Sequence, residues 1–235
     1  SLTIHAEPPS LVAVAGESGS GKTTLSRMLL GLISPTEGEV LYRGTPVSAI
    51  KGRAHMAFRR DVQAIFQDPF EVYNPFYKVD HALEMPILRF EPGKGKTERR
   101  EMIEAALEVV GLRVGETLGR YPHQLSGGQR QRVMVARALM LKPSVIVADE
   151  PVSMVDASLR ATILESLNKL KLDFNVTILY ITHDLTTAYH VSDYIIVLYR
   201  GSVMEAGDVE IVIREPQHPY TQLLIDSIPW PDIKR

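Results

Sequence analysis

Cysteine is absent from the 235 residues. That removes disulfides, thiolate zinc sites and cysteine-held iron–sulfur clusters from consideration, and it suits a reducing compartment. Long apolar runs are missing too: nothing approaches the roughly 18 consecutive apolar residues that a membrane-crossing helix needs. Neither sign of charge dominates. With 26 basic against 28 acidic side chains the formal charge is −2, so composition offers no basic surface for nucleic acid. The opening Ser1-Leu2-Thr3-Ile4-His5-Ala6-Glu7 lacks a charged stretch followed by an apolar core and is not a signal peptide. A strand begins almost at once, and native sequence upstream of Ser1 is expected. No repeat or low-complexity stretch is present. What remains is ordinary, 45% apolar and 23% charged, enough for one sizeable core with a subdomain.

What is there begins with Gly16-Glu17-Ser18-Gly19-Ser20-Gly21-Lys22-Thr23-Thr24, which fills the pattern G-x-x-x-x-G-K-[ST]. Before it, Leu11-Val12-Ala13-Val14-Ala15 is long enough for one buried strand; after it, Thr24 to Leu30 places apolar residues at helical spacing. Strand, glycine loop, helix is the context of a phosphate-binding site. The glycines let successive N–H groups turn inward on an anion, and the helix adds its unsatisfied donors and dipole. Lys22 can reach β- and γ-phosphates, and the Thr23 hydroxyl can ligate Mg²⁺.

Further along, residues 2–6 alternate as a half-buried strand, Pro8-Pro9-Ser10 is a turn, and 39–47 reads as a small antiparallel hairpin. Residues 61–66 read as a strand, 68–96 as irregular and rich in Pro, Gly and aromatics, and 97–110 as an amphipathic helix closed by Gly111. Helices are predicted over 129–141, 157–172 and 184–190, and strands over 145–148, 176–181 and 194–198; from Gly207 on, short helices are broken at Pro216, Pro219 and Pro229. Buried β-runs alternating with helices predict an α/β fold with a mostly parallel sheet.

Two further constellations carry chemistry. Asp149-Glu150 follow the apolar run Val145-Ile146-Val147-Ala148, at the carboxyl end of a strand, where open α/β sheets bind ligands. An Asp there can hold Mg²⁺. The adjacent Glu points elsewhere, because side chains alternate along a strand, and could polarise a water for attack on a γ-phosphate. Taken alone, such a pair is more often simply solvated. Leu125-Ser126-Gly127-Gly128-Gln129 precedes a helix; alone it is an ordinary N-cap, yet the same helix-terminus physics makes it a second anion site.

Together these stretches resemble the nucleotide-binding subunit of an ABC transporter: the loop at 16–23, LSGGQ at 125–129, and Val145 to Pro151. The family's other marks follow in order, with Gln67 matching the Q-loop, Ser153-Met154-Val155-Asp156 the D-loop and His183 the switch histidine. The resemblance spans nearly the whole chain. It implies a P-loop NTPase, a RecA-like core with an antiparallel β subdomain and a helical lobe over roughly 70–140, all within one ABC ATPase domain, 1–235. It implies a head-to-tail pair of ATPase subunits, identical or paralogous, each ATP lying between the loop of one and LSGGQ of the other. Lys22 would then grip phosphates and Asp149 anchor Mg²⁺. Thr23 and Gln67 would hold Mg²⁺ or the attacking water, and Glu150 would act as general base. His183, Ser126, Gly127 and Gly128 would contact the γ-phosphate, with Gln129 beside them, and Asp156 would couple the two sites.

Gln67-Asp68-Pro69-Phe70 with Asn74-Pro75, Tyr121-Pro122-His123-Gln124, and the tail His218-Pro219-Tyr220-Thr221-Gln222-Leu223-Leu224 are similar to the oligopeptide/dipeptide/nickel importer ATPases. Related ATPases serve oligosaccharide importers, so cargo stays open. The resemblance implies separate membrane permease subunits, a solute-binding protein acting indirectly, no nucleic-acid partner, and a peripheral place on the cytoplasmic face of the membrane. An ABC-type ATPase acting outside transport is the first alternative, and a catalytically dead nucleotide-gated module the second. Phe70, Tyr73 and Phe76 look exposed in 68–96 and suggest where a membrane subunit docks. One departure stands out: the family's adenine-stacking aromatic lies upstream of the glycine loop, and residues 1–15 contain no Phe, Tyr or Trp.

Overall fold

The computed structural model describes residues 8–66, 73–153 and 157–227. Six strands form one sheet in the order β4-β5-β6-β1-β7-β8, where β1 is Leu11–Ala15, β4 Val62–Ile65, β5 Val145–Asp149, β6 Thr177–Thr182, β7 Tyr194–Tyr199 and β8 Ser202–Asp208. Neighbours from β4 to β7 run parallel, and only β8 is antiparallel, against β7. The parallel part is apolar in nearly continuous runs because both of its faces are covered. Leu11, Ala13 and Ala15 of β1 point to one side, together with Ile146, Ala148, Ile178, Tyr180, Ile195 and Val197. Val12 and Val14 point to the other, with Val147, Leu179, Ile181, Ile196 and Leu198.

That second face is closed by helix α1 (Lys22–Leu29) through Leu25 and Leu29. Packing α1 there fixes where its first turn, and so the glycine loop, stands relative to the strand ends. A two-stranded hairpin, β2 (Leu41–Tyr42) with β3 (Thr45–Pro46), lies apart from the main sheet. Arg43 and Gly44 both take positive φ, 50° and 77°, the backbone that a two-residue hairpin turn of matching twist demands. The hairpin is the antiparallel element expected over 39–47; the strand expected over 2–6 lies outside the described residues.

Helix α2 (Gly52–Asp61) leads into β4, and α3 (Val79–Phe90), α4 (Lys96–Val109), the short α5 (Val114–Thr117) and α6 (Gly127–Leu139) stand between β4 and β5. Residues 68–96 are therefore not irregular throughout. Val79, Leu83, Pro86 and Ile87 of α3 are buried at helical spacing, and Val79, Leu83 and Ile87 join Ile103, Ala106 and Leu107 of α4 and Val133 and Met134 of α6 in one core. Pro86 removes only one backbone donor, and the burial of that apolar face outweighs the loss. Helix α4 ends as expected: Gly111 takes φ 67°, and Gly111 and Leu112 donate to the carbonyls of Glu108 and Leu107, a left-handed terminus that glycine favours.

Helix α7 (Ala157–Phe174) precedes β6, and α8 (Leu185–Val191) follows it. The segment after Gly207 opens not with a helix but with the end of β8, then α9 (Val209–Arg214) and α10 (Pro219–Asp226). No helix among the described residues is long and apolar enough to cross a membrane.

Candidate active site

The carboxyl ends of three adjacent strands, β5, β6 and β1, meet at one cavity of about 700 Å³. It is lined by Glu17, Ser18, Gly19, Gly21, Lys22, Thr23, Thr24, Glu150, His183 and Leu224. The loop at 16–21 is braced from below. A Cβ on Gly16 would lie 2.2 Å from the Leu198 carbonyl oxygen of β7, so no side chain fits there. Ser20 accepts the Gly201 N–H at 2.8 Å, which pins the loop to the β7–β8 turn. Gly21 takes φ 101° at the N-cap of α1, a conformation glycine adopts without strain.

Lys22 is 6% exposed. Its Nζ donates to the carbonyls of Gly16 at 2.7 Å and Glu17 at 2.9 Å, turning the ammonium into the concavity of the loop. Burial lowers its pKa, against the opposing pull of the Glu150 and Asp149 carboxylates. Thr23 and Thr24 are exposed to the cavity.

Asp149 is 7% exposed at the tip of β5. Its Oδ2 accepts from the Ser26 hydroxyl of α1 at 2.9 Å, while its Oδ1 is buried without a hydrogen-bond partner. Burial pushes its pKa up; the Ser26 bond and Lys22 work against that, and the neighbouring Glu150 charge adds to it. A buried carboxylate oxygen left open, beside a threonine hydroxyl and a phosphate loop, fits a hard cation that takes few protein oxygens and completes its shell from phosphates and water. No group of three or more His, Asp or Glu among the described residues could hold a metal by itself.

Glu150 does not continue the strand. Its φ is 46°, and its N–H still donates to Ile181 O at 2.9 Å. The direction of its side chain is therefore set by a left-handed turn that ends the pleat, not by alternation along a continuing strand, and Glu150 lines the cavity while Asp149 does not. Such a conformation in a non-glycine residue costs about 1 kcal/mol or more. Ser153 offsets part of this, its N–H and hydroxyl both donating to the Glu150 carbonyl, at 3.2 and 3.0 Å. Glu150 Oε1 lies 3.0 Å from His183 Nδ1. His183 is itself fixed from both sides. Thr182 Oγ1 accepts the Asp184 N–H at 3.0 Å, and Asp184 caps α8 by accepting from Thr186 and Thr187 at 2.9 and 3.3 Å. Arg160 of α7 holds Asp184 at 3.2 Å.

Ser126 caps α6. It accepts from Gln129 N at 3.2 Å and donates its own N–H to Gln129 Oε1 at 2.9 Å, the reciprocal capping box. The helix starts at Gly127, two residues earlier than predicted, so both glycines lie in its first turn. None of Ser126, Gly127, Gly128 or Gln129 borders the cavity around Lys22. The two glycine-containing helix N-termini, at Lys22 and at Gly127, thus stand apart in one chain. Gln67 and Asp156 lie outside the described residues. Ser26, Tyr220 and Leu224 belong to the site's surroundings; Ser26 is not singled out by the sequence, and Tyr220 and Leu224 enter there only as part of the tail stretch, not as neighbours of the phosphate loop. For Ser26 the signal is a hydroxyl on the buried face of α1, three residues after Thr23.

Comparison with known proteins settles the family. The ABC transporter family matches residues 1–153. The chain belongs to the ABC transporter family. A second family, described as the oligopeptide/dipeptide transporter C-terminal region, matches 204–235. The chain is 44% identical to YkfD of Bacillus subtilis over 231 residues, 98% of this chain and 70% of that protein. It is 37% identical to the oligopeptide transport ATP-binding protein OppF of Escherichia coli, over 98% and 69% of the two chains. The dimeric ATP-binding cassette MJ0796, solved with ADP and Pi in a post-hydrolysis state, superposes with a TM-score of 0.77 at 31% identity, covering 88% of each chain. The P-loop α/β fold of this ABC family member matches the expectation from sequence.

Proposed function

We propose that this chain is the ATP-hydrolysing subunit of a peptide-type ABC importer, working at a head-to-tail interface with a second ABC ATPase subunit. One observation carries the reading. A buried lysine in a phosphate loop and a Glu–His pair 3.0 Å apart line one cavity, with a buried carboxylate that has an open oxygen directly behind Thr23 and Ser26 of the same loop and helix. The likeness to oligopeptide transport proteins and to a cassette bound to ADP and Pi supports both the chemistry and the cargo class. We read residues 70–140 as a helical lobe inserted in a single ATPase domain.

In this reading the N–H groups of Ser18 to Thr24 and the α1 terminus receive the phosphates, and Lys22 turns from the Gly16 and Glu17 carbonyls to the β- and γ-phosphates. Thr23 and Asp149, with Gln67, would hold Mg²⁺, which when bound neutralises phosphate charge. Glu150 takes a proton from the attacking water as general base. His183 steadies the Glu150 carboxylate and faces the γ-phosphate. Ser126, Gly127, Gly128 and Gln129 of the partner copy close the site from above, where this chain leaves it open, and Asp156 couples the two sites. Separate permease subunits, with a solute-binding protein acting through them, receive the motion at the cytoplasmic face of the membrane; nucleic acid has no part.

Steady-state ATP turnover of the wild type against Glu150→Gln tests this. Turnover should fall by about 10²–10⁴ with nucleotide binding retained. Equal turnover would remove Glu150 from the role of base.

A further inference from the structure

The segment after β8 reaches back to the phosphate loop. Glu205 of β8 accepts the N–H groups of Gln217 at 2.8 Å and His218 at 3.0 Å, and His218 Nδ1 caps α10 by accepting from Tyr220 N at 3.1 Å. Thr221 is fully buried. The start of α10 therefore has a fixed position. From it the Tyr220 ring packs at a tilt of 38° against Tyr199 of β7, centroids 4.4 Å apart, and its hydroxyl accepts the Glu17 N–H at 3.4 Å. One turn on, Leu224 borders the cavity.

Glu17 N and the Gly16 carbonyl belong to the same peptide unit, whose N–H and C=O point in opposite directions. That unit is held at both ends: Lys22 Nζ on its oxygen, Tyr220 on its N–H. As Lys22 turns its donors toward a triphosphate, its hold on this peptide loosens, and Tyr220 becomes the side chain that keeps the loop's first turn in place.

We propose that α10 is a strap on the phosphate loop and that Tyr220 is a positioning residue that sets nucleotide affinity; this rests on the ATP-binding reading above. A tethered loop loses less freedom on binding than a free one. By linkage, ATP must order α10 by the same coupling through which α10 favours ATP, so a partner or modification that lifts the helix would weaken nucleotide binding. A C-terminal segment otherwise remote in sequence then becomes a regulatory input to the site.

Binding of a fluorescent N-methylanthraniloyl ATP, with amide hydrogen exchange over 219–226, tests the proposal on wild type, Tyr220→Phe and Lys22→Ala. Tyr220→Phe keeps the ring contact with Tyr199 and loses one long hydrogen bond. It should raise the dissociation constant about two- to fivefold with the nucleotide-free melting temperature unchanged. ATP should slow exchange in α10 of the wild type and much less in Tyr220→Phe. Unchanged affinity together with unchanged exchange would overturn the strap while leaving ATP binding standing. Wild-type protein that binds no more analogue than Lys22→Ala would overturn both the nucleotide reading and the strap.

Discussion

Replacing Ser26 by Ala isolates the electrostatics of the buried carboxylate. Ser26 is 1% exposed, and its hydroxyl donates to Asp149 at 2.9 Å, the stronger of two hydroxyl interactions that favour the carboxylate, the other coming from Thr23. Alanine fits the space, so the change removes a charge-assisted bond from the buried carboxylate and leaves it the weaker Thr23 interaction. Hydrogen bonds to charged groups contribute about 1.5–3 kcal/mol, which for a chain of this size lowers the melting temperature by about 3–12 °C. The pH dependence has a definite sign. Asp149 already has a raised pKa in the folded chain, so its stability contribution is full below the unfolded value of 3.8 and is lost as pH rises through the folded value. Losing the Ser26 bond raises the folded pKa further. The mutant's deficit should therefore be greatest at neutral pH. It should shrink as pH falls through the native pKa of Asp149, toward the roughly 0.5–1.5 kcal/mol of a neutral hydrogen bond. Nucleotide-free melts of both proteins from neutral pH down to about pH 4 measure it. Equal melting temperatures at neutral pH, or a deficit that grows toward acid, would refute the reasoning.

Two further predictions concern the loop and the 68–96 segment. Gly16→Ala forces a Cβ to 2.2 Å from the Leu198 carbonyl and should cost about 1–3 kcal/mol by chemical denaturation. Gly19→Asn, with open space at that position and a left-handed backbone that Asn tolerates, should cost less than about 1 kcal/mol; a Gly16→Ala protein as stable as wild type would contradict the packing account. Phe76 is 86% exposed, so Phe76→Ala should leave the melting temperature unchanged while uncoupling transport in reconstituted vesicles; unaffected transport would remove it from the docking surface. Tyr73, in contrast, is not exposed as its sequence context suggested. It is 7% exposed and donates to Arg130 O at 3.0 Å, and Tyr73→Ala should cost about 3–5 kcal/mol in the same melts.

What could be read from the sequence was what burial spells out locally. The runs Leu11–Ala15, Val145–Ala148 and Ile178–Ile181 are apolar because both sheet faces are covered, and their ends mark the site. Glycine positions told of the loop and of the α4 terminus for the same reason: backbone demands are local. Helix α3 was hidden by Pro86, which reads as a breaker until its buried face is known. Helix α2 buries only Phe58, too little for a periodic signal, and β8 has a half-exposed antiparallel pattern without full burial. The turn of Glu150 into the cavity depends on a positive φ that no sequence rule assigns to glutamate. Ser26 and Tyr220 act across 123 and 203 residues of chain, and such contacts exist only once the sheet order is set.

The central claim is that each nucleotide is closed in by the phosphate loop of one copy and the LSGGQ stretch of another. A chain without cysteine allows a direct measurement. Ser18→Cys and Ser126→Cys are placed on separate copies, both also carrying Glu150→Gln to hold the nucleotide unhydrolysed, and a short thiol cross-linker is added with and without ATP. The account predicts a cross-linked pair of chains that forms only when ATP is bound. A yield that ATP does not change, or no cross-link between copies at saturating ATP, would contradict it.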